Sequence, residues 1–177
     1  MSKVRLATTW LDGCSGCHMS ILDMDQRLVE LSESIELVYG PYVDFKVFPD
    51  NVDVTLIEGA VSSEEDLEKV LHIRERTRIL VSLGDCAITA NVPSMRNPFS
   101  VESVLARGYQ ENSENNTVLP YRNIPKLLQK ARPVHEFVKV DVFIPGCPPH
   151  ADVIYQAINQ ILEGNHPNLS ELTRFGA

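Results

Sequence analysis

Four short apolar runs set the limits on how this chain can fold. They are Val4 to Thr9 (VRLATT), Val52 to Ile57 (VDVTLI), Arg78 to Leu83 (RILVSL) and Val138 to Ile144 (VKVDVFI). Their β-branched content suits strands, and their nearly continuous apolar character suits strands buried on both faces. Ile35 to Val38 (IELV) is a fifth, shorter run. The segments between carry helical periodicity. One helix is expected from about His18 to Glu33, with Ile21, Met24, Leu28 and Leu31 on one face. A second follows a Ser62/Glu65 capping-box pattern and carries Leu67, Val70 and Leu71. A third starts near Ala151, repeats apolar residues at Val153, Ile154, Ala157, Ile158, Ile161 and Leu162, and stops at Gly164.

Strands alternating with helices predict an α/β fold. Right-handed crossovers make it a flavodoxin-like, doubly wound parallel sheet with ligands at the carboxyl edge of the strands. The 177 residues are expected to form one domain over 1–177. An irregular insertion over about 93–136 interrupts the alternation. Its part from Tyr109 to Glu136 opens with the polar run QENSENN and holds three prolines. A loop of that length is uncommon in a compact domain and tends to be functional or flexible. A short helix is expected around Pro125 to Ala131.

Composition excludes several functions. Sixteen basic against 24 acidic residues leave a net charge of -8, which argues against nucleic acid and against an anionic membrane surface. No run of about 18 apolar residues is present, so no membrane-spanning helix is expected. Met1 to Trp10 shows neither a signal-peptide nor a twin-arginine pattern, so the cytoplasm is the expected location. Thiols stay reduced there, and four cysteines read as ligands or reactive groups before disulfides.

Each cysteine follows an expected strand. Cys14 and Cys17 come after the first, Cys86 after the run ending at Leu83, and Cys147 after the run ending at Ile144. A parallel sheet would bring these loops to one edge. Four thiolates meeting there make a site for zinc or for an iron–sulfur cluster. Structural zinc sites usually show two close pairs, whereas this chain has one CxxC and two single cysteines. Cys147 is followed by Pro148 and Pro149, and a Cys-Pro step recurs among cluster ligands. Small residues flank the thiols, which lets backbone N–H groups approach cluster sulfurs. Two other readings stay open on spacing alone. Cys86 and Cys147 could be buried structural thiols, and Cys14-x-x-Cys17 could be a thioredoxin-like redox pair.

The sequence resembles the small subunit of nickel–iron hydrogenases, a family that includes the 20 kDa subunit of respiratory complex I. The matching pieces are Trp10-Leu11-Asp12-Gly13-Cys14-Ser15-Gly16-Cys17-His18, Ile57-Glu58-Gly59-Ala60-Val61, Gly84-Asp85-Cys86-Ala87 and Pro145-Gly146-Cys147-Pro148-Pro149. The resemblance implies a flavodoxin-like fold and one proximal-type [4Fe–4S] cluster on Cys14, Cys17, Cys86 and Cys147. It also implies that the hydrogen-activating metal sits in a partner, the nickel–iron large subunit. The complex I subunit has adjacent cysteines in its first motif, unlike Cys14-x-x-Cys17, which disfavours a quinone-linked role. A twin-arginine leader, a domain with two further clusters and a ferredoxin-like part, each found in other members, have no counterpart here. The subgroup indicated is the cytoplasmic, bidirectional NAD(P)-linked hydrogenase, in which flavin/iron–sulfur diaphorase subunits would be further partners. A zinc-stabilised binding module is the alternative from another functional class.

Three residues near the cysteines carry further expectations. Glu58 lies just past a strand and is expected to act as a proton relay or as a carboxylate beside the cluster, the alternative being a surface or helix-capping glutamate. His18 is expected to pack at the start of its helix, the alternative being a bond to a cluster sulfur. Trp10 is expected at an interface or in the core. FMN is a weaker expectation, since a flavodoxin-like edge can bind it but no Ser/Thr-rich phosphate loop stands out. The segment from Pro93 to Glu136 is expected to touch the partner, the alternative being a solvated insertion.

Overall fold

The computed structural model describes residues 3–114, 118–119, 122–170 and 172–173. The part of the 93–136 segment at 115–117 and 120–121 therefore lies outside the described residues.

Five parallel strands form the main sheet. They are β1 (Val4–Trp10), β2 (Ile35–Tyr39), β3 (Val52–Glu58), β5 (Thr77–Leu83) and β7 (Val142–Ile144), in the order β2-β1-β3-β5-β7. Counting only these five, this is the 2-1-3-4-5 order of the flavodoxin-like fold, as the alternation predicted. A parallel sheet needs cover on both faces, and the two cores supply it. On one face Leu6, Leu56, Leu83 and Ile144 pack under α1 (Gly16–Leu22), α2 (Gln26–Ser32) and α6 (Ala151–Leu162). On the other face Ala7, Ile57 and Leu80 pack with Val70 and Ile73 of α3 (Glu64–Arg76). Each large apolar side chain among these, fully buried, contributes about 1.5–3 kcal/mol of transfer free energy.

Several local expectations are corrected. The single helix over 18–33 is two helices, broken at Asp23–Asp25. Asp25 takes φ 50° and ψ -120°, outside the helical region, and the break turns Met24 into the core at 2% exposure. The cap of α3 is Ser63 rather than Ser62. Ser63 Oγ accepts from Asp66 N, and Asp66 Oδ2 accepts from Ser63 N at 3.0 Å. The shift by one residue follows from β4 (Val61–Ser63), a short strand that sequence alone did not show. Leu71, placed on the apolar face of this helix, is exposed; Val70 and Ile73 are the buried positions.

The last strand is shorter than expected. Asp141 ends the irregular run 138–140 by donating its N–H to Leu80 O and accepting from Leu80 N, both at 2.9 Å, and pairing begins after it. The helix expected around 125–131 is instead strand β6 (Leu127–Arg132), antiparallel to β4. Leu, Gln, Lys, Ala and Arg are good helix formers, but pairing with a distant strand overrides that preference. The 93–136 segment also contains a 3-10 turn at Pro93–Arg96, α5 (Val101–Ala106), a π turn at Arg107–Glu111 and a 3-10 turn at Val134–Glu136. Among the described residues, no helix is long and apolar enough to cross a membrane.

Candidate metal centre at the carboxyl edge of the sheet

All five strands of the main sheet run the same way, so the loops after β1, β5 and β7 leave from one edge. They carry Cys14 and Cys17, Cys86, and Cys147 respectively. Cys17 lies in the first turn of α1, and Cys86 in the short helix α4 (Asp85–Thr89). The backbones interlock closely. A Cβ at Gly84, where φ is 81°, would overlap the sulfur of Cys17. A Cβ at Gly16 would lie 3.3 Å from Cys14 Sγ and 3.8 Å from Pro148. The first cysteine loop therefore touches both the second and the third. None of the four thiols is in a disulfide.

The sulfurs sense one another electrostatically. Burial raises the Cys17 thiol, and Glu58 and then the other three cysteines push it further the same way. Burial also raises Cys86; the Val92 N–H opposes it, while Cys147 and Cys14 add to it. Thiolates here therefore require a nearby positive charge. Among the described residues, no three His, Cys, Asp or Glu side chains close on a point sized for a single metal ion.

Hydrogen bonds hold the three loops in place. Glu58 ends β3 and is 2% exposed. Its Oε2 accepts from His18 N and from His18 Nδ1, each at 2.7 Å. A carboxylate only accepts, so Nδ1 carries the hydrogen. His18 Nε2 is buried without a partner among the described residues. Tyr42 O–H donates to His18 O at 2.5 Å, and burial next to Glu58 pushes this phenol up to about 12, so it stays a donor at ordinary pH. Trp10, 45% exposed, sets its ring edge-on to His18 at 5.5 Å.

The Glu58-Gly59-Ala60 stretch also clamps the first loop. Asp12 N donates to Ala60 O at 3.1 Å, and Ala60 N donates to Asp12 O at 2.7 Å. A Cβ at Gly59 would stand 2.8 Å from Asp12 O, so only glycine lets the two chains come this close. Asp85 joins the other two loops. Its buried Oδ1 accepts from Gly146 N at 2.8 Å, and its N–H donates to Gly146 O at 2.9 Å. Sequence reasoning placed Glu58 and His18 near the cysteines but gave Tyr42 and Asp85 no role. The one signal for Asp85 was its place beside Cys86.

The residues present fit one of the two expected cofactors. Four thiols on three loops of one edge, with a glycine kept bare beside a sulfur, match the donor set and the close backbone approach that an iron–sulfur cluster needs. FMN fares differently. The cavity at the ends of β1 and β2, lined by Thr9, Trp10, Tyr39, Lys46 and Lys69 among others, holds about 170 Å³. Ligand pockets run to about 300–1,000 Å³, so this cavity adds no support for a flavin mononucleotide.

Known proteins resemble this chain over most of its length. The delta subunit of the NAD-reducing hydrogenase HoxS of Cupriavidus necator is 40% identical over 179 aligned residues, covering 98% of this chain and 86% of that one. The iron–sulfur subunit of the F420-non-reducing hydrogenase of Archaeoglobus profundus is 29% identical; the alignment covers 93% of this chain and 57% of the longer relative. The crystal structure of an NAD+-reducing [NiFe]-hydrogenase in its H2-reduced state contains a chain with 37% identity and a TM-score of 0.93, covering 98% of this chain and 99% of that chain. The family model described as NADH ubiquinone oxidoreductase, 20 Kd subunit, matches residues 14–161, which include all four cysteines, and the chain belongs to that family.

Proposed function

We propose that this chain is the electron-transfer small subunit of a cytoplasmic NAD(P)-linked nickel–iron hydrogenase, with Cys14, Cys17, Cys86 and Cys147 as ligands of one [4Fe–4S] cluster. The observation that carries the reading is the arrival of four thiols from three loops at one sheet edge. A cluster bound there supplies one-electron transfer between the metal site of a large subunit and a flavin/iron–sulfur module that reduces NAD+. The identity shared with the HoxS delta subunit supports these partners.

The chain's own residues position and protect. Asp85 keeps the Cys86 and Cys147 loops at a fixed separation, and the Asp12–Ala60 bridge does the same for the first loop. Gly84 leaves room for the Cys17 sulfur. Glu58 is the proton-relay residue of this reading. His18 holds its Oε2, which leaves Oε1, on the Gly13 side, as the oxygen that takes up and releases a proton.

A quinone-linked, complex I-like role is disfavoured by the two-residue gap between Cys14 and Cys17. A zinc module is disfavoured by spacing, since structural zinc sites usually show two close pairs and this chain has one CxxC and two single cysteines. Affinity purification under anaerobic conditions tests the proposal. A co-purifying large subunit with nickel and iron supports it. A chain isolated with zinc, or with no such partner, overturns it.

A further inference from the structure

The four cysteines are not the only groups at this edge that address sulfur. Helix α4 ends at Ala90, whose φ of 60° turns the chain sharply. The next residue, Asn91, then faces a ligand sulfur. Asn91 Nδ2 donates to Cys147 Sγ at 3.5 Å. The Val92 N–H, next along the turn, favours the ionised form of the Cys86 thiol.

The turn is firmly supported. Ala90 N donates to Cys86 O, Ser94 N donates to Ala90 O at 2.8 Å, and Ser94 Oγ donates to Asn91 O at 2.8 Å. Ala90 is 2% exposed and packs with Ala60 and Ala131, which joins the turn to the β4–β6 ribbon. The ribbon is tied down from the same side. The Asn97 amide exchanges two bonds with the Ala131 backbone, at 2.9 and 2.8 Å, and Arg96 donates to Ser62 O and Leu128 O. A left-handed alanine is strained, and such strain persists where the surroundings over-determine it, often at functional sites.

We propose that the Ala90–Val92 turn tunes the reduction potential of the centre, with the Asn91 side-chain N–H to Cys147 as its adjustable donor and the β4–β6 ribbon as its support. The proposal rests on the cluster reading above. Uptake of one electron adds one negative charge to the ligand set; no bond breaks and no proton moves. N–H donors to the sulfurs favour the more negative state and so raise the potential.

The test is a redox titration of the intact hydrogenase complex, followed by EPR, for wild type, Asn91→Leu and Asn91→Asp. Both variants remove the donor at similar volume, and Asn91→Asp adds a charge of the wrong sign for the reduced state. Iron content should stay at the wild-type level. At the wild-type midpoint, the reduced-to-oxidised ratio should fall about threefold in Asn91→Leu, or ~28 mV at 59 mV per tenfold for one electron, and further in Asn91→Asp. Unchanged midpoints with full iron overturn the proposal. So does loss of the cluster in both variants, which makes Asn91 a requirement for assembly rather than tuning. A wild-type complex without an iron–sulfur signal defeats the cluster reading itself and is recognised before any variant is compared.

Discussion

Replacing Gly84 by alanine separates the two demands that the site makes on its backbone. Gly84 has φ 81° and ψ 164°, a region essentially reserved for glycine, so any Cβ there costs on the order of 1–3 kcal/mol. Domains of this size hold about 5–15 kcal/mol of stability, so Gly84→Ala should still fold. The second cost is local. The new Cβ would overlap Cys17 Sγ, and heavy atoms rest about 3.5–4.0 Å apart, so the sulfur must retreat by about 1 Å or more. Sites of this kind need their groups held within about 0.5 Å. The control without a clash is Gly164→Ala, where φ is also positive at 80° and nothing lies within 4 Å. Both variants should lose some backbone stability in urea denaturation, the positive φ costing on the order of 1–3 kcal/mol. Only Gly84→Ala should lose iron, measured as iron per chain and as reduced-state EPR intensity after anaerobic purification. Full iron and an unaltered spectrum in Gly84→Ala would refute the claim that this glycine makes room for a ligand sulfur.

Three further outcomes are expected. Glu58→Gln should slow hydrogen turnover by on the order of 10²-fold at normal iron content, as removal of a proton-transfer group does; unchanged turnover removes the relay role. Asp85→Ala leaves the buried Gly146 N–H without its acceptor and should cost about 1–3 kcal/mol in urea denaturation, while Asp85→Asn, which keeps an oxygen there, should recover most of it; equal losses would contradict the role given to Oδ1. Asp141 should govern part of the acid limb of stability. Burial raises its carboxyl, but the Leu80 N–H and the Arg74 guanidinium outweigh burial and hold it below the ordinary carboxylate range. A depressed carboxyl stabilises above its unfolded value of about 3.9 and loses that contribution as pH falls through the folded value. The stability gap between wild type and Asp141→Asn should therefore be widest near neutrality and close in strong acid; a gap that does not change with pH counts against it.

The sheet was legible because its strands are buried on both faces and read as unbroken apolar runs. The cysteines were legible because each sits directly after such a run, so strand direction alone brings them to one edge. What stayed hidden depends on contacts distant in sequence. Asp85 meets Gly146 across 61 residues, Asn91 meets Cys147 across 56, and Tyr42 meets His18 across 24. No local pattern marks such partners. Leu127–Arg132 was misread for the same reason, since its helix-forming composition yields to pairing with Val61–Ser63. The break between α1 and α2 was hidden by apolar spacing that continues across it, with Met24 packed inward on a non-helical turn.

Whether the four thiols hold an iron–sulfur cube decides everything proposed for this edge of the sheet. Iron and acid-labile sulfide per chain, with the reduced EPR spectrum integrated on the anaerobically purified complex, ask this directly. The prediction is one [4Fe–4S] signal per small subunit, lost when any one of Cys14, Cys17, Cys86 or Cys147 is replaced by alanine. Zinc in place of iron, or a full cluster signal that survives one of those replacements, contradicts it.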